Sequence, residues 1–142
     1  MTTTTIRAIL GNRQVFSVSP ETSLRDASML MADNAIGAVA VMTNQTLVGI
    51  LTERDIVFRG VAQGLRTDEG TAGKCMTADP VTVEIDDAIS DALAAKLGDA
   101  FRHLPVMDNG KLCGILSFRD IPAEYIMMFE RFREMSAAHA DD

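Results

Sequence analysis

Hydrophobic and polar positions along the chain change period in a fixed order, and that order occurs twice. Val15, Phe16 and Val18 alternate as a short extended run, and the polar cluster Ser19-Pro20-Glu21-Thr22-Ser23 then marks a helix start. Leu24, Ala27 and Met31 follow at helical spacing, which predicts a helix with one apolar face. Alternation returns from Ala38 to Met42 and from Leu47 to Leu51, two strands separated by Thr43-Asn44-Gln45-Thr46, and a second helix starts after Leu51. The later half repeats the pattern. Val81, Val83 and Ile85 are extended, Asp86-Asp87 opens a helix carrying Ile89, Ala92, Leu93 and Leu97, and two strands run from Leu104 to Met107 and from Leu112 to Leu116. Between them stands Asn109-Gly110, a strong hairpin signal because both central residues of that turn take positive φ.

The two halves also match residue by residue. Val18 falls on Val83, a shift of 65 (83 − 18), and the same shift pairs Asp26-Ala27 with Asp91-Ala92 and Val41-Met42 with Val106-Met107. It goes on to pair Gly49-Ile50-Leu51 with Gly114-Ile115-Leu116 and Arg54-Asp55-Ile56 with Arg119-Asp120-Ile121. The chain reads as a duplication of a β-α-β-β-α unit, residues 6–65 and 71–130, with a linker at 66–70 and a helix end and polar tail at 131–142. A unit of about 60 residues buries too little surface alone, so two copies packed sheet to sheet as one α+β module are expected. Tyr125, Met128, Phe129, Phe132 and Met135 form an apolar stripe on a C-terminal helix whose start Pro122 delays or kinks.

Composition narrows the function. Of 142 residues, 13 are basic and 20 acidic, a net charge of −7, which is the wrong sign for holding a phosphate backbone, so no nucleic-acid partner is expected. No apolar run approaches the roughly 20 residues that span a bilayer, and the Met1-Thr2-Thr3-Thr4-Thr5 start lacks a basic region followed by an apolar one, so a cytoplasmic protein without membrane contact is expected. Cys75 and Cys113 stand far apart outside any CxxC or Cys/His cluster, and the expectation is two reduced thiols, Cys113 in the core. There are two His residues, with His139 in the polar tail. No Ser/His/Asp, Cys/His or metal-spaced set appears, so neither catalysis nor a required cofactor or metal is expected.

The chemistry lies at matching points of the two copies, Gly49-Ile50-Leu51-Thr52-Glu53-Arg54-Asp55 and Gly114-Ile115-Leu116-Ser117-Phe118-Arg119-Asp120. In each, a hydroxyl ends a strand and a carboxylate follows three residues later at a helix start. That spacing is a capping box. It also gathers a carboxylate able to accept from a vicinal diol, a hydroxyl and free helix amides, which suits a nucleotide. Spacing alone leaves both roles open.

The repeat, the element order and the Gly-Ile-Leu-[Thr/Ser]-x-Arg-Asp motif resemble the CBS-domain family. Met76-Thr77-Ala78-Asp79-Pro80-Val81 and Phe101-Arg102-His103-Leu104-Pro105-Val106 match it too, so the resemblance covers nearly the whole chain. It implies a disc-like module binding AMP, ADP or ATP in clefts between the repeats. It further implies Asp120, Asp55, Ser117 and Thr52 on ribose, and Arg102, His103, Arg119 and Arg54 near phosphate. Adenine would lie among Val15, Phe16, Ile36 and Ala38, or among Val81 and Leu104.

The copies are unequal, since Arg102 and His103 correspond to Gly37 and Ala38. The Asp120 cleft is therefore the better equipped for phosphate. The leading expectation is a regulatory module, with no effector domain in its sequence, that senses an adenine nucleotide and acts in trans on a partner or through a homodimer. The other is a structural dimerisation or partner-binding scaffold with no nucleotide, in which the motif only caps helices and the Tyr125-to-Met135 stripe is the working surface.

Overall fold

A computed structural model describes residues 4–94 and 101–140, the last five of these by backbone alone. Leu97, expected on the second repeat's first helix, lies outside the described residues, as do the first three residues and the last two of the polar tail. The helix α1 (Ile6–Leu10) comes first, followed by β1 (Ser17–Val18), α2 (Leu24–Asn34), β2 (Ala38–Thr43) and β3 (Thr46–Thr52). A helical path then begins at α3 (Glu53–Asp55) and continues through a π turn, Ile56–Gly60, and a 3₁₀ turn, Val61–Gln63. The later half contains α4 (Ala72–Cys75), β4 (Thr77–Ala78), β5 (Val83–Glu84), α5 (Ile89–Ala94), β6 (His103–Asp108), β7 (Lys111–Ser117), a 3₁₀ turn at Phe118–Asp120, and α6 (Ala123–Ala140). This is the expected α+β duplication.

The strand registers repeat as faithfully as the residues do. β1 runs parallel to β2, and β2 pairs antiparallel with β3; β5, β6 and β7 do the same. Both hairpins carry an irregularity at the same point, between Val41 and Met42 and between Val106 and Met107. Asn109 and Gly110 have φ of 51° and 80°, the positive values that their turn requires. β4 adds an antiparallel fourth strand to the first sheet, with Ala78 opposite Gly49. The sheets face one another, β7 touching β2 and β3. The initial extended runs are shorter than their alternation suggests: Val15 and Phe16 precede β1, although the Ala40 amide still donates to the Phe16 carbonyl.

Each core is completed by a segment from the other half of the chain. Ile6 and Leu10 of α1 are buried with Val83, Ile89, Leu104, Val106 and Leu116 of the second repeat. Ala72 and Cys75 of α4 are buried with Leu24, Val39, Val41 and Leu51 of the first. The backbone bonds agree, since Leu24 N donates to Gly70 O and Ile89 N to Thr4 O. Fully burying a Leu or Ile side chain contributes about 1.5–3 kcal/mol, so these exchanged residues bind the halves into one unit.

α6 begins at Ala123, directly after Pro122, whose carbonyl accepts from Tyr125 N; a proline is tolerated there because no helical hydrogen bond is lost. Tyr125, Ile126 and Phe129 pack on the second core, whereas Met128, Phe132 and Met135 stay exposed. The single stripe read from the sequence is thus split between an inner and an outer face. Among the described residues no helix is long and apolar enough to cross a membrane.

Candidate functional site

The motif after β7 arranges a carboxylate with two separate tasks. Ser117 N donates to Asp120 Oδ2 at 2.7 Å, and Arg119 N donates to Ser117 Oγ at 3.3 Å, so the turn is capped. Asp120 Oδ1 is left for another partner, and that partner is Arg13, whose Nη1 donates to it at 2.5 Å. The Asp120 side chain is only 13% exposed while that of Arg13 is 52% exposed, so the cation is the freer member of the pair.

Asp120 opens onto a cavity of about 280 Å³, near the low end of the roughly 300–1,000 Å³ of small-molecule sites. Its floor is β7, where Cys113, Ile115 and Ser117 alternate onto one face. The wall is contributed by the other repeat: Val15 and Phe16 ahead of β1, and Ile36 and Ala38 at the entry to β2. Ala35, at φ 53°, makes the left-handed turn that ends α2 and sends the chain along this wall. Arg13, His103 and Arg119 supply nitrogen around Asp120, and the result is an apolar slot with a charged end.

His103 is the least settled group in the cavity. Its Nδ1 is buried and has no hydrogen-bond partner among the described residues. Burial pushes its pKa below 6.5; the Glu53 and Asp120 carboxylates oppose that shift, and Arg119 and Arg102 reinforce it. The imidazole is therefore neutral at neutral pH, with one nitrogen able to donate and the other able to accept.

Of the residues expected at a site, Asp120, Ser117, His103, Arg119, Val15, Phe16, Ile36 and Ala38 meet at this cavity. Arg102, Arg54, Leu104, Val81, Thr52 and Asp55 do not line it. Arg102 lies over the Phe118 ring, 5.5 Å from its centroid, and Arg54 over Phe58 at 4.8 Å, so each guanidinium is engaged by a neighbouring aromatic face. Leu104 is buried in the second core, on the opposite strand face from His103; the 65-residue shift carries Ile36 to Phe101 and Ala38 to His103, not to Leu104. Val81 is 42% exposed away from the cavity. Thr52 and Asp55 form a complete capping box, with Asp55 N to Thr52 Oγ1 and Thr52 N to Asp55 Oδ2 both 3.1 Å. The second Asp55 oxygen accepts from Thr77 Oγ1 at 3.5 Å. Arg59, the other basic group near Asp55, donates to the Met76 carbonyl at 2.9 Å.

Cys113, expected in the core, is half-buried at the cavity and donates to Val106 O, while Cys75 is the fully buried thiol; burial raises the pKa of both. Arg13 and Gln14 line the cavity and were not read from the sequence. The 65-residue shift lays Asn12-Arg13 on Thr77-Ala78 without a shared residue, and it is the structure that shows each segment closing over a motif aspartate.

Comparison with known proteins agrees with this architecture. The family model described as CBS domain matches residues 6–61 and again 72–124. An uncharacterised 17.7 kDa protein of Acidianus ambivalens is 38% identical over 114 residues, covering 79% of this chain and 68% of that protein. Curated relatives differ widely in size, and the chain spans from about a quarter to about three quarters of their length. A CBS-domain containing protein from Agrobacterium tumefaciens superimposes with a TM-score of 0.74 at 32% identity, over 82% of this chain and 95% of that one. A CBS domain protein from Pyrobaculum aerophilum complexed with AMP gives a TM-score of 0.76 at 28% identity, over 89% and 97% of the two chains. With two matched repeats, exchanged cores and a cavity between them, the chain belongs to the CBS domain family as a tandem pair.

Proposed function

We propose that the chain is a regulatory module that binds an adenine nucleotide in the Asp120 cleft and transmits occupancy as a change of conformation or association. One observation carries this reading: a carboxylate held by its own turn through one oxygen presents the other at the charged end of an apolar slot. Adenine fits between the Val15–Phe16 and Ile36–Ala38 segments, the ribose diol meets Asp120 and Ser117, and phosphate reaches Arg119 and His103. The relative complexed with AMP supports the ligand class. Binding is assigned to this cleft because Asp120 and Ser117 line the cavity, whereas Asp55 and Thr52 do not and the second Asp55 oxygen is turned to Thr77.

A ligand between the repeats can bias their arrangement only through different affinities for the alternatives. The natural recipient is a second copy or another protein met in trans, in the cytoplasm, where two free thiols would remain reduced. No catalytic step is assigned. Calorimetric titration of the purified protein with AMP, ADP and ATP tests the reading, and no heat with any of them at sub-millimolar protein would sink it. The scaffold alternative draws on the exposed outer face of α6, and it predicts an assembly indifferent to nucleotide.

A further inference from the structure

We infer that Arg13 makes this cleft selective for phosphate-bearing adenine nucleotides over the nucleoside. The inference rests on the nucleotide reading above and adds a residue and a selectivity to it. A ribose diol that bridges the carboxylate reaches both oxygens, and while Oδ2 also accepts from the Ser117 amide, Oδ1 is where Arg13 sits. The carboxylate cannot turn away, being largely buried and fixed by its own turn. Arg13 can, because half of its side chain is in solvent.

Arg13 is nonetheless anchored close by. Gly11, at φ 57°, turns the chain sharply at the end of α1, and the Arg13 amide donates to Leu10 O at 3.3 Å. Leu10 in turn packs against Gly114 of the cavity floor. A guanidinium released from Asp120 therefore remains beside the slot. A nucleoside breaks the ion pair and leaves the cation without an anion. A nucleotide breaks the same pair and returns a phosphate, whose oxygens match the guanidinium fork. The same group thus opposes adenosine and favours AMP, which separates it from a cation that only adds affinity.

The test is calorimetry of the full chain with AMP and with adenosine, for the native protein and for Arg13→Gln and Arg13→Lys. The native protein should prefer AMP. Arg13→Gln should bind adenosine at least as well as the native protein does, and AMP about tenfold or more weakly, the size of one charge-assisted hydrogen bond. Arg13→Lys keeps the charge without the fork, and should recover part of the preference; thermal melts establish that each variant is folded, and Arg13→Lys carries the comparison if Arg13→Gln is not. An unchanged AMP-to-adenosine ratio in the variants, or no preference in the native protein, overturns the role of Arg13 while leaving the nucleotide reading standing. A native protein that binds neither ligand overturns that reading itself, and this inference with it.

Discussion

The Ser117 amide donates to Asp120 across 2.7 Å, and this bond makes the carboxylate a structural group as well as a candidate ligand. Asp120→Ala removes both roles, so it should abolish nucleotide binding and also cost about 1 kcal/mol as a lost cap. Asp120→Asn retains an oxygen for the Ser117 amide and loses the charge. It should keep most of the stability while weakening AMP binding. Denaturant melts beside calorimetry separate the two; equal AMP affinity in Asp120→Asn would remove Asp120 from the site.

Asp55 makes the opposite case. It is buried to 9% exposure, and both of its oxygens are engaged by Thr52 and Thr77. Asp55→Ala strands the Thr52 amide and should cost about 1–3 kcal/mol. AMP affinity at the Asp120 cleft should not change. A variant as stable as the native protein but defective in binding would reverse the assignment of the two motif aspartates.

His103 gives a pH dependence. Its imidazole is held below 6.5 in the fold, first by burial, with Glu53 and Asp120 opposing and Arg119 and Arg102 assisting. The unfolded chain therefore takes up this proton first as pH falls. Its contribution is fully present above 6.5 and is lost progressively as the pH falls through the depressed folded value. Urea melts between about pH 7.5 and pH 5 should show His103→Gln losing less stability on acidification than the native protein. Parallel curves for the two proteins would mean that His103 titrates alike in both states.

What was legible in the sequence follows from what periodicity can carry. A period shift identifies which face of an element is apolar, and a residue-by-residue offset identifies what repeats; hence the two β-α-β-β-α units, the Asn109-Gly110 turn and the late start of α6 at Pro122. Neither tells which neighbour an apolar face meets. Ile6 and Leu10 are apolar wherever they pack, and that they close the second core is a tertiary fact. Periodicity is equally silent on the mixed parentage of the site, whose wall is from one repeat and whose carboxylate is from the other; that clefts lie between the repeats is implied by the family resemblance alone. Leu104 stands in the second core and not at this cavity, since a shift of one along a strand exchanges the cavity face of His103 for the core face.

The exchanged segments can be probed through two glycines at matching points. A Cβ at Gly49 would stand 2.5 Å from Met76 Sδ and 2.9 Å from the Thr77 carbonyl, whereas the nearest atoms to one at Gly114 belong to the Leu10 side chain, Cδ1 at 2.8 Å. A leucine methyl can move, but a carbonyl paired across β3 and β4 cannot without disturbing the strand. Both alanine variants should destabilise, by about 1–3 kcal/mol as overpacking does, and Gly49→Ala should cost more. Thermal melts decide this, and the reverse order would show β4 to be the more pliant of the two docked segments.

On α6, Met128, Phe132 and Met135 are 63–69% exposed and lie on one helical face, with Met127 beside them at 54%, while Tyr125, Ile126 and Phe129 hold the inner face against the second core. Outer and inner positions are thus separable by mutation. If the chain is a homodimer joined through this outer face, Met128→Glu with Phe132→Glu should place charge on both sides of the contact and yield a monomer in analytical ultracentrifugation. Because neither residue is in the core, the monomer should retain its circular dichroism and its affinity for AMP. Tyr125→Ala, by contrast, removes the Thr4 Oγ1 contact at 2.6 Å and packing on the second core, so it should lower thermal stability. A native protein that sediments as a monomer at all concentrations would leave the outer stripe of α6 without this role, and a double variant that still dimerises would place the association surface elsewhere.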